Sequence, residues 1–177
     1  GTANNDDIPS SIYVDATGNT YVGGITDSDP SATINNDYVS LFYNNAGVLQ
    51  WSKVFAGPSS SNDVASAITK DASGNVILTG YSESIPQKNG ITVKYNASGM
   101  IQWSKTYDGI GDNTDKANAM ALDPNGNLFV AGYVVEYGAD RNFALQKINS
   151  SGTTIWLKTL DGTASGSSDY ASAVAID

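Results

Sequence analysis

The chain has 177 residues, 18 acids against nine bases, a formal charge of −9, and neither cysteine nor histidine. These counts exclude disulfides, zinc thiolates, a thiol nucleophile and the usual general base of enzymes. No stretch approaches the ~20 apolar residues of a membrane helix.

Residues 8–14 form the first predicted strand. They run into Asp15-Ala16-Thr17-Gly18-Asn19, a tight turn in which Gly18 supplies a positive φ and the Asp15 carboxylate accepts local backbone N–H groups. Residues 21–24, 38–43 and 51–55 follow as short runs rich in β-branched and aromatic side chains. The same order then returns. Residues 65–70 lead into the turn Asp71-Ala72-Ser73-Gly74-Asn75, then strands 76–80, 91–95 and 103–107. Residues 117–122 lead into Asp123-Pro124-Asn125-Gly126-Asn127, then strands 128–132, 143–148 and 156–160.

The turn acids step by 56 and then 52 residues, a period that marks an array of supersecondary units. Four strands per unit of this size make the blade of a β-propeller, so the expected fold is all-β, with blades of four antiparallel strands. The repeats span about 8–62, 63–114 and 115–168, within a single domain. Residues 169–177 start another, because residues 170–177 repeat the opening strand. Three blades plus one strand should not close. The expectation is an incomplete propeller segment, completed by further blades of a longer chain or by copies of itself.

A second marker keeps the beat. Trp51, Trp103 and Trp156 each stand four residues after the glycine of an Asn-x-x-Gly segment. A ring recurring at one blade position is expected to pack between neighbouring blades rather than to stack on sugars. That spacing resembles the docking tryptophan of quinoprotein propellers, a likeness of blade mechanics with no cofactor pocket attached to it.

The combination Asp-x-x-Gly-Asn-x-[aromatic or aliphatic]-Val-x-Gly, then Lys-Tyr-Asn-x-x-Gly-x-x-x-Trp-Ser-Lys, resembles the bacterial SBBP beta-propeller repeat family. Phe42 departs from it where the other units have Lys94 and Lys147, and so does Leu157 in place of the serine after tryptophan. The resemblance implies a propeller on secreted or surface proteins of bacteria, and it implies no enzyme activity.

In blade geometry the uniform turns share one face and the variable loops the other. Fourteen acids but only Lys88, Lys116 and Arg141 fall in or beside the variable loops. Such a face repels phosphate backbones, which argues against nucleic acid as a partner. Asp108, Asp112 and Asp115 are the densest local set for calcium, and Asp27 with Asp29 is a second. Solvated turn acids are the preferred reading of both. No cofactor is expected. Tyr133 and Tyr137, read as loop aromatics, carry the alternative of a carbohydrate-binding propeller; a glycan-cleaving or quinone-dependent enzyme fragment is the remaining one. The leading expectation is a non-catalytic extracellular module that serves as a scaffold or contacts a surface or secreted protein.

Overall fold

The computed structural model describes residues 7–27, 35–58, 62–84, 87–109, 114–136, 140–162 and 167–177. Among these are twelve strands and no helix. The first sheet contains β1 (Ile8–Val14), β2 (Thr20–Asp27), β3 (Asn36–Tyr43) and β4 (Leu49–Phe55). The second contains β5 (Asp63–Lys70), β6 (Val76–Ser84), β7 (Gln87–Tyr95) and β8 (Ile101–Tyr107). The third contains β9 (Lys116–Leu122), β10 (Leu128–Val135), β11 (Arg141–Ile148) and β12 (Thr154–Leu160). Each sheet is antiparallel with its strands in sequence order. The three sheets do not close on one another.

Local chemistry explains this regularity. Gly18, Gly74 and Gly126 adopt φ of 83°, 85° and 78°, which L side chains rarely adopt, and each closes the first hairpin of its sheet. The second hairpins turn on Gly47, Gly99 and Gly152. Every first strand also carries a bulge at one repeat position: Ser10, Ser66 and Asn118 are the extra residues. Opposite each bulge lies a glycine, Gly24, Gly80 or Gly132, where a Cβ would collide with the carbonyl of Ile8, Val64 or Lys116. The Val-x-Gly of the repeat is therefore a steric requirement of the neighbouring strand.

The core lies between the sheets. Tyr21 and Tyr38 of the first sheet pack on Ile68, Leu78, Ile91, Val93 and Tyr95 of the second. Ile77, projecting from the opposite face of β6, packs on Ala117, Leu128, Val130 and Ile148 of the third. The middle sheet is thus apolar on both faces, and burial of these side chains is what holds neighbouring sheets together.

Three sequence expectations need correction. Residues 170–177 form no strand. A strand needs a ladder, and among the described residues this segment pairs with no other strand. Ala171 alone is anchored, donating its N–H to Gly132 O at 3.0 Å and accepting from Asn118 Nδ2 at 2.8 Å. The variable loops left between predicted strands 76–80 and 91–95, and between 128–132 and 143–148, are also shorter than the sequence suggests. β6 and β7 pair as far as Ser84 and Gln87, and β10 and β11 as far as Val135 and Arg141.

Candidate functional site

Polar side chains recur at three places in each repeat. The first is the hairpin acid. Asp15, Asp71 and Asp123 each accept the N–H groups two and four residues on, at 2.8–3.0 Å. Asn19, Asn75 and Asn127 donate their side-chain amides to the same carboxylates. A lysine completes each set. Lys94 lies 2.8 Å from Asp71 and Lys147 lies 3.6 Å from Asp123, each from the third strand of the same sheet. Phe42 occupies that position in the first sheet, stacked on Tyr21 at 4.6 Å. The cation for Asp15 comes instead from Lys70 of the next sheet, at 2.7 Å.

These contacts hold the acids ionised. The Lys70 hydrogen bond, helped by Thr17 and Asn19, keeps the Asp15 carboxyl well below the usual carboxylate range. Burial opposes the same effect at Asp71, but hydrogen bonds from Lys94 and Asn75 outweigh it. The Asn127 amide lowers Asp123.

The second place is the tryptophan. Trp51 Nε1 donates to Ala97 O and Trp103 Nε1 to Ser150 O, both at 3.1 Å, and both bonds cross to the next sheet. The indoles lie against the turn glycines they reach: a Cβ at Gly99 or Gly152 would press on the ring of Trp51 or Trp103. Lys94 Nζ follows the same route to Ser150 O at 3.3 Å. Trp156, on the third sheet, makes an edge contact with Phe129 at 5.8 Å, and its Nε1 has no acceptor among the described residues.

The third place escaped the sequence reading. Asp63, Asp115 and Asp169 accept the N–H of Gly57, Gly109 and Gly162 at 2.5, 2.5 and 2.7 Å, pinning the chain just before each following repeat. Asp115 accepts from Val135 N as well, at 2.9 Å. The signal was available, because each of these acids stands eight residues before an acid of the hairpin period. Asp63 and Asp115 are fully buried, and burial pushes both carboxyls above their ordinary value. Asp27 and Asp37 are buried too. The acids counted on the variable face are therefore partly interior staples, and less negative charge meets solvent than the sequence suggests.

Asp115 is engaged in this way, Asp108 is exposed, and Asp112 lies outside the described residues, as does Asp29. Among the described residues no group of three acids converges as a metal site. Tyr133 is not a loop residue: it sits in β10, buried, with the Arg141 guanidinium 4.9 Å above its ring. Tyr137 lies outside the described residues. A cleft between the second and third sheets is walled by Thr92, Tyr107, Lys116, Val130 and Gln146. Lys116 Nζ stands 4.0 Å over the Tyr81 ring, and burial depresses its pKa.

Three four-stranded antiparallel sheets stacked face to face define an all-β repeat protein with propeller-like blades. Residues 102–133, which run from β8 through the Asn118 bulge and the Gly126 hairpin of the third sheet into β10, match the model of the SBBP family, the beta-propeller repeat. No curated protein matches the chain.

Proposed function

We propose that the chain is a β-propeller segment that works as a non-catalytic structural or protein-interaction module of a secreted or surface-exposed bacterial protein. The observation that carries the scaffold reading is how the recurring polar groups are used. The hairpin acids hold their own turns and a lysine, the buried acids hold the inter-repeat loops, and Trp51 and Trp103 dock one sheet on the next. Chemistry that repeats once per blade and ends in backbone contacts is architecture. The extracellular and bacterial setting rests on the likeness to SBBP repeats.

Three assays test the reading: glycoside hydrolysis, alcohol oxidation with added quinone and calcium, and a glycan array. The expected result is no turnover and no saturable sugar binding. Turnover of either substrate class would overturn the scaffold assignment, and a sugar signal lost in Tyr137→Ala would move it to carbohydrate recognition.

A further inference from the structure

Lys88, Lys116 and Arg141, the bases of the acidic variable face, come together at the junction of the second and third sheets. Lys88 Nζ and Lys116 Nζ share the Tyr81 ring, 5.1 and 4.0 Å from its centre. Arg141 caps Tyr133, the counterpart of Tyr81 one repeat on, at 4.9 Å. Tyr133 feels the charges of both Arg141 and Lys88, so the two capped rings are neighbours. Lys88 is ion-paired with Glu83, its ladder partner on β6. Lys116 has no such match. Among the described residues its ammonium has neither a carboxylate at ion-pair distance nor a hydrogen-bond acceptor. The adjacent Asp115 carboxylate is taken up by the N–H groups of Gly109 and Val135.

Burial disfavours the Lys116 charge, and the Lys88 and Arg141 charges beside it disfavour it further. The scaffold does not need a cation there, because Val64 holds the same position in the second sheet. Nor does the first sheet keep the capped ring: Ile25 and Asn36 stand where the other sheets have a tyrosine and a base. Unlike the polar groups that recur in every repeat, the Lys116 ammonium ends in no backbone contact. We propose that Lys88, Lys116 and Arg141 form a binding site for one tetrahedral oxyanion, a phosphate or sulfate group, beside Tyr81 at the junction of the second and third sheets.

The anion supplies the negative charge that Lys116 lacks and relieves the repulsion among the three bases. Lys88 and Arg141 add donors from two different sheets, and the Arg141 guanidinium can grip two oxygens at once. The rings carry the cations, so their faces are not free to stack a base or a sugar. An extended polyanion does not suit the site. Asp108 and Glu136 stand close enough to raise the Asp115 carboxyl, and their charges repel a long phosphate backbone. The site adds a ligand to the scaffold role without depending on it.

Equilibrium dialysis of the 177-residue chain against labelled inorganic phosphate, at fixed ionic strength in chloride, is expected to show one saturable site per chain. Sulfate should displace the label and added chloride should not. Lys116→Met should weaken binding by about tenfold or more, and Lys88→Met and Arg141→Gln should each weaken it as well. Lys158→Met, the same charge change at an exposed position on β12, should leave it intact. Glycerol phosphate is the second probe. Tighter binding than phosphate assigns the site to an ester on a larger molecule, and equal or weaker binding assigns it to the free ion; either outcome supports the site. Because Val64 is tolerated at this position, Lys116→Met should still melt cooperatively, and phosphate should raise the midpoint of the wild type but not of the variant. Binding that never saturates, displacement by chloride as readily as by sulfate, or equal binding by wild type and Lys116→Met would overturn the proposal.

Discussion

Lys70 Nζ lies 2.7 Å from Asp15 Oδ2 across the boundary between the first two sheets, 55 residues apart in sequence. Phe42 explains why the bridge is needed. With an aromatic ring where the other sheets hold a lysine, the first hairpin acid takes its cation from the neighbour.

This bridge predicts an acid-dependent difference. The Asp15 carboxyl is held low, first by Lys70, so its contribution is complete above the ordinary Asp value of about 4 and fades as pH falls through the folded-state value. Lys70→Met should lower the urea midpoint at neutral pH, with the gap to wild type closing in acid. Adding Phe42→Lys should restore the acid-sensitive part while losing the Tyr21 stacking. A pH-independent gap would show that Lys70 acts through packing.

The tryptophans should not be equivalent. Trp103→Ala removes an inter-sheet hydrogen bond and a half-buried ring, a loss of about 2–3 kcal/mol. Trp156→Ala should cost under ~1 kcal/mol, because among the described residues its one ring partner is Phe129 and its indole N–H makes no inter-sheet hydrogen bond. Equal losses in urea titrations would contradict this ordering.

The glycines opposite the bulges should resist a single methyl group. At Gly80 a Cβ would strike the Val64 carbonyl and approach the Tyr38 hydroxyl. Gly80→Ala should cost about 1–3 kcal/mol by forcing the two strands apart. Gly57→Ala should be costly for a different reason, since its Cβ would displace the Asp63 carboxylate. Thermal melts of the two variants check both.

Asp63 and Asp115 carry the opposite pH sign. Burial raises the Asp63 carboxyl, so the folded state keeps this proton to higher pH than the unfolded chain does. Its contribution therefore declines as pH rises from the ordinary Asp value of about 4 through the raised one. Asp63→Asn removes this decline, so its stability relative to wild type should improve across that window. A difference that stays constant with pH would place the Asp63 titration at its unfolded value.

The strands, the two hairpin turns and the recurrence of tryptophan were legible because each depends on residues close in sequence. Gly74 and Asp71 dictate their turn from within five residues, and the strands of β6 and β7 announce themselves by their side chains. What was hidden depends on neighbours. No local pattern shows that Lys70 serves Asp15, because that follows from which strand of the second sheet faces the first hairpin. Residues 170–177 read as a strand on sequence pattern, yet pattern without a partner makes no ladder. The buried acids looked like loop charge because sorting them by region hid their fixed spacing from Asp71 and Asp123. Gly24, Gly80 and Gly132 recur in the sequence without a visible reason, and the bulge opposite each gives the physical cause.

The borrowed lysine also bears on how an array of repeats can be rearranged. A blade that supplies its own Lys94 or Lys147 carries a self-sufficient hairpin wherever it is copied. The first blade does not. If it were duplicated or transplanted ahead of a unit with leucine at the position of Lys70, as the third blade has at Leu122, its hairpin acid would lose its counter-charge. The order of these blades is thus written into their side chains, and a shuffled array would retain the fold pattern while weakening the junction that followed the misplaced blade.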